Sequence, residues 1–130
     1  MRAGADTFGR MQNYRQLSVW KKAHAVAMNV HRLTQRIPRD GNAGLINQLR
    51  TAALSIPANI AEGSSRPTDK DFAKFLYISL ASATEVEYHL EFAAGIETIS
   101  AKEFEIHQEQ LIEIRKMLHG LIKHLKRPIP

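Results

Sequence analysis

Apolar residues recur along this chain at spacings of three and four, and no segment alternates with period two for long enough to make a strand. Val19, Ala23, Val26, Val30, Leu33 and Ile37 lie on one face of a first helix that Ser18 is suited to cap and Pro38 to end. A second seam runs through Leu45, Leu49, Ala52, Ile56 and Ile60. Pro57 falls inside it and deprives the Ala53 carbonyl of its donor, which predicts a kink, and Gly63 reads as a left-handed stop. Thr68, with Asp71 three residues on, opens a third helix. Its core face is Phe72, Leu76, Ser79, Ala83, Val86, Leu90 and Ala93, and Gly95 is placed to close it. Ser100 and Glu103 form a capping box, with Ile99 and Phe104 as a hydrophobic staple, before a fourth seam of Phe104, Leu111, Ile114, Leu118, Leu121 and Leu125. Residues 39–42 and 64–67 are short, turn-rich connections. The pattern predicts an all-α, antiparallel up-down-up-down four-helix bundle with a Pro-kinked second helix over residues 14–127, preceded by a flexible extension over residues 1–13 that lacks periodicity.

The third helix carries a second stripe. At about 100° per residue, Tyr77, Ala81, Tyr88 and Phe92 fall together, roughly opposite the core face. Isolated tyrosines are common on surfaces, but a phenylalanine in line with two of them makes the kind of patch that monomers avoid. The expectation is a homo-oligomer with the third helix at its interface.

Charge changes the picture through its distribution, not its sum of +5. Residues 1–66 carry 10 basic against 3 acidic residues, residues 67–114 carry 3 against 10, and residues 115–130 carry 5 and none. Two readings are open: a polyanion-binding surface, or complementary helices attracting one another within or between bundles. On the first, Lys21, Lys22, Arg32, Arg36, Arg39, Arg50, Arg66, Lys116, Lys123, Lys126 and Arg127 are candidates for RNA or DNA phosphate contacts. There is no helix-turn-helix pattern and no aromatic platform for stacking, so base-specific reading is not expected.

Catalytic chemistry finds little support. The chain has no cysteine, and no glycine-rich phosphate loop. His24 and His31 share one side of the first helix, but that side reads as solvated. An inward di-iron site needs Glu-x-x-His pairs, whereas Glu85 and His89 are four apart and off the core seam, and Glu105, Glu109 and Glu113 continue one outer face. No catalytic residue, metal or cofactor is expected. Charges interrupt every apolar run before it reaches membrane-spanning length, and cytoplasmic residence is the default expectation.

Several strings resemble a known family. Residues 14–24 (YRQLSVWKKAH), Gln48-Leu49-Arg50-Thr51-Ala52-Ala53, Ser55-Ile56-Pro57-Ala58-Asn59-Ile60-Ala61-Glu62-Gly63 and Phe75-Leu76-Tyr77-Ile78-Ser79-Leu80 are similar to successive blocks of the 23S rRNA intervening sequence protein family, also called four helix bundle protein. The resemblance covers about residues 13–126 and implies a homopentamer of four-helix protomers. It also implies kinship with the accessory proteins of diversity-generating retroelements, basic pentamers that bind nucleic acid and a reverse transcriptase. Within its signature, Pro57, Asn59, Glu62 and Gly63 are expected to be structural, with Asn59 and Glu62 bonding backbone groups freed near the bend. The combined expectation is a non-enzymatic homo-oligomer that binds RNA or DNA backbone through a basic surface. The alternative is a scaffold or accessory subunit that binds a protein partner and no nucleic acid.

Overall fold

A computed structural model describes residues 13–128, so the expected extension lies almost wholly outside the described residues. A 3-10 turn, Tyr14–Gln16, leads into four helices: α1 (Ser18–Gln35), α2 (Ala43–Ser64), α3 (Asp69–Gly95) and α4 (Ala101–Leu125). Each helix packs against its neighbours in sequence and α1 packs against α4, as in a four-helix bundle.

The heptad-like seams explain this packing. All six apolar positions expected of the first seam are buried, as are the seven core-face positions of α3, Ser79 among them, and Leu111, Ile114, Leu118 and Leu125 of α4 join them. In α2 the seam is rotated slightly: Ile46 is fully inside while Leu45 is half-buried, and in α4 Ile122 is buried where Leu121 is only partly covered. Lateral contacts step in opposite sequence directions along α2 and α3, with Gly63 beside Phe72, Ile56 beside Ser79 and Ser55 beside Ser82.

Helix ends show where local signals held and where they did not. Thr68 Oγ1 accepts from the Asp71 N–H, and Ser100 and Glu103 complete a reciprocal capping box. Ser18, by contrast, is the first residue of α1 and caps nothing; the preceding 3-10 turn, itself capped by Asn13, delivers Leu17 to the N-cap position. Gly63 is not a left-handed stop: α2 continues through it to Ser64 and closes at Ser65 in a right-handed conformation. Gly95 likewise stays helical, and the left-handed residue after α3 is Glu97, with φ of 64°. The Thr98 N–H bonds the Ala93 carbonyl and the Glu97 N–H bonds the Ala94 carbonyl, which is a Schellman closure built on a glutamate.

Candidate nucleic-acid interface

The signature string of α2 faces inward. Pro57 is buried, and Asn59 Nδ2 donates to the Ser55 carbonyl at 2.8 Å and to Ser55 Oγ at 2.9 Å. From α3, Ser79 Oγ donates to the Ile56 carbonyl at 2.9 Å, and Ser82 Oγ meets Ser55 Oγ at 2.8 Å. Pro57 lacks the N–H that would serve the Ala53 carbonyl, and the side-chain bonds to backbone go instead to the Ser55 and Ile56 carbonyls, the second of them tying α3 to α2. Asn59 thus bonds the backbone at the Ser55 carbonyl and not at the Ala53 carbonyl that Pro57 leaves without its donor, whereas the Glu62 carboxylate turns outward to Arg66, and only its carbonyl serves the helix end, accepting from Ser65. Gly63 supplies room: a Cβ there would sit 2.8 Å from both Phe72 Cδ1 and Phe75 Cβ. The Arg66 guanidinium lies over the Phe75 ring, 4.9 Å from its centroid.

The basic residues separate into two sets. Lys22 pairs with Glu113 at 3.3 Å and Arg36 with Glu103 at 2.6 Å, so the charge of α1 is partly matched by the acidic first half of α4 beside it. Hydrogen bonds from the Ser100 backbone and the Arg36 guanidinium hold the Glu103 carboxyl below its usual range. Arg66 is committed to Glu62, and half-buried Arg50 donates from Nε to Thr34 Oγ1 at 2.8 Å. Arg32 donates to Asn29 Oδ1, while Lys21, Arg39 and Lys116 are exposed and scattered. A further pair, Arg115 with Glu87 at 2.5 Å, links α4 to α3. There burial alone would raise the Glu87 pKa, but hydrogen bonds from Gln108 and Arg115 and the charge of Arg115 outweigh it and lower the value.

Lys123, Lys126 and Arg127 behave differently, because the fold brings them to the start of α3. Adjoining cavities of about 420 and 620 Å³ form an open groove between α3 and α4 with Tyr77 and Lys126 common to both halves. Lys70, Lys74 and Tyr77 stand along α3 at i, i+4 and i+7, and His119 and Lys123 of α4 with its C-cap Lys126 repeat that spacing. Ala73, Ile122 and Leu125 make the apolar floor, and no lining residue is acidic. Asp71 lies at the rim, 3.6 Å from the Lys74 ammonium. Lys126 Nζ donates to the Tyr77 hydroxyl at 3.2 Å and sits 5.3 Å from its ring centroid. Arg127 donates to the His124 carbonyl at 2.6 Å, which anchors the end of the chain's basic run beside the groove.

Sequence reasoning missed Lys70, Lys74 and His119. Averaging charge over residues 67–114 hid two lysines inside an acidic block, although the repeated four-and-three spacing of Lys70-Lys74-Tyr77 and His119-Lys123-Lys126 was there to be read. Tyr77 is 47% exposed and belongs to this groove, while Tyr88 at 60% and Phe92 at 48% lie three to four turns further along α3. Ala81 is exposed between them.

On the far side of the bundle, Trp20 stacks on His24 with centroids 4.8 Å apart, and His24, Met28, His31, Arg50 and Leu54 line a cavity of about 390 Å³. No cluster of three or more metal-ligating side chains occurs among the described residues, and no helix among them is long and apolar enough to cross a membrane.

Comparison with known proteins places these features in context. Residues 15–120 match the family described as 23S rRNA-intervening sequence protein. Among solved structures, one similar chain is a protein of unknown function from the S23 ribosomal protein family of Bacteroides thetaiotaomicron. It is 29% identical, with a TM-score of 0.75 over 81% of this chain and 98% of that one. No functionally curated protein matches.

Proposed function

The chain belongs to the 23S rRNA-intervening sequence protein family, and from that premise we propose that it is a non-enzymatic, homo-oligomeric binding protein whose α3–α4 groove takes the phosphate backbone of RNA or DNA. The observation that carries this reading is the convergence of Lys70, Lys74, Lys123, Lys126 and Arg127 on one acid-free groove. Lys22 and Arg36 face acidic residues of α4, whereas Lys74 pairs with Asp71 of its own helix and no acidic residue lines the groove. Lysines so arranged neutralise phosphates and release counterions, which gives binding of modest sequence preference and strong salt dependence.

The test is binding of a generic RNA and a generic DNA by the purified protein across a salt series. The expected result is an affinity that falls steeply as salt rises. Absence of binding at low salt, or binding indifferent to salt, would defeat the reading.

Assembly has separate support. Tyr88 and Phe92 are exposed large apolar residues on the outer face of a helix whose other face is core. A second copy is the occupant this reading assigns to them, and a pentamer is the count the family resemblance implies. Light scattering should return a multiple of the protomer mass. A clean monomer would favour the scaffold reading, in which Tyr88 and Phe92 meet a different protein, such as a reverse transcriptase.

A further inference from the structure

We propose that the α3–α4 groove is a single-strand site: Tyr77 stacks an unpaired base while the lysines on either wall hold the flanking phosphates. This rests on the nucleic-acid reading above and narrows it to a ligand class.

The argument starts from what stands at the centre of the groove. A purely electrostatic seat for a duplex needs only cations, because the bases of a duplex are stacked on one another and present no ring face. Here the cations surround an aromatic side chain that is 47% exposed. Lys70 and Lys74 approach it along one helix, and Lys123 and Lys126 along the other. Beside the ring the floor is apolar, made by Ala73, Ile122 and Leu125. A base has one flat apolar face to bury and a charged phosphate on each side, and this groove offers those features in that order. Base stacking on an aromatic side chain is tolerant of sequence, which agrees with a site that lacks a set of base-edge donors and acceptors.

Lys126 already engages Tyr77. Its ammonium hydrogen-bonds the hydroxyl at 3.2 Å and so stands at the hydroxyl end of the ring, 5.3 Å from the centroid, leaving the ring face open. An arriving base takes the ring face, and the ammonium turns from the hydroxyl to the neighbouring phosphate. The exchange is favourable because a hydrogen bond to a neutral hydroxyl is weaker than one to a charged phosphate.

The experiment compares a twelve-nucleotide single strand with its duplex by fluorescence anisotropy at one fixed salt concentration, on the full chain and on two variants. Wild type should bind the single strand about tenfold more tightly. Tyr77→Ala should lower single-strand affinity by roughly tenfold, the loss of one stacked base, and leave duplex affinity unchanged. Tyr77→Phe, which keeps the ring and drops the hydroxyl, should retain the preference. Circular dichroism checks that each variant is folded. Equal affinity for the two forms overturns the single-strand assignment while leaving the nucleic-acid reading intact, and so does an equal loss in both forms for Tyr77→Ala. Binding of neither form overturns both.

Discussion

Two seams of this bundle use the same helix, α3, in opposite ways. Along α2 it is closed off: serine hydroxyls meet each other or a carbonyl, Asn59 clasps Ser55, and Gly63 leaves no space beyond its own hydrogen. Along the end of α4 it is open, with lysines spread around a tyrosine over an apolar floor. The sealed seam holds the most recognisable string in the sequence, and the open one is made of residues that look ordinary in a list. The difference teaches that a distinctive string can mark a demanding packing problem, while a surface for a partner can arise from common residues that only the fold assembles.

If that division is right, variants should sort cleanly between binding and stability. Replacing Lys70, Lys74, Lys123 and Lys126 together by Gln should produce the largest change. Single-strand affinity at low salt should fall on the order of a hundredfold, and the log–log salt slope should flatten by roughly 3, at about 0.7 per phosphate contact. The melting temperature should barely move, and isothermal titration beside calorimetric melting reads both. Gly63→Ala should do the reverse. A methyl 2.8 Å from Phe72 Cδ1 and Phe75 Cβ cannot be admitted without shifting the helix start, so a loss of about 2 kcal/mol is expected by urea titration, with nucleic-acid affinity unchanged in the folded protein.

A smaller effect should appear on acidification. Glu87 and Glu103 both have folded-state values lowered below those of free carboxyls. Their contribution is therefore fully present above the unfolded value, near 4.5, and is lost as pH falls through the lower folded values. Arg36→Gln should shrink the part of that acid-side loss that belongs to Glu103, as read by melting temperature against pH. The smallest change should come from Glu97→Gly at the end of α3, which relieves a left-handed glutamate and should add roughly 0.5 kcal/mol without touching either seam.

Much of the bundle is legible in the sequence. Burial follows periodicity where one face is apolar and the other charged, and so α1 and the core face of α3 came out complete. In α2 the apolar residues nearly encircle the helix, leaving its rotation to be set by α3, which is how Ile46 displaced Leu45. Glycine misled twice for the same reason. Composition reports its freedom to turn left-handed, but at Gly63 the chain uses its lack of bulk, and after α3 the left-handed position fell to Glu97 instead. The groove escaped because Lys70 and Lys74 are about fifty residues from Lys123 and Lys126, and nothing local relates the first turns of α3 to the last turns of α4.

The α3 helix is 27 residues long with no proline inside it, a rod of about 40 Å with its ends fixed by Thr68 and by the Schellman closure. Tyr77 and Phe92 therefore keep a separation of roughly 22 Å along its axis whatever is bound at either place. Such a rod behaves as a ruler and not as a lever. In an assembly joined through the Phe92 end, the grooves would repeat at one fixed interval, and a strand long enough to bridge two of them would be held by avidity, with its length as the quantity measured.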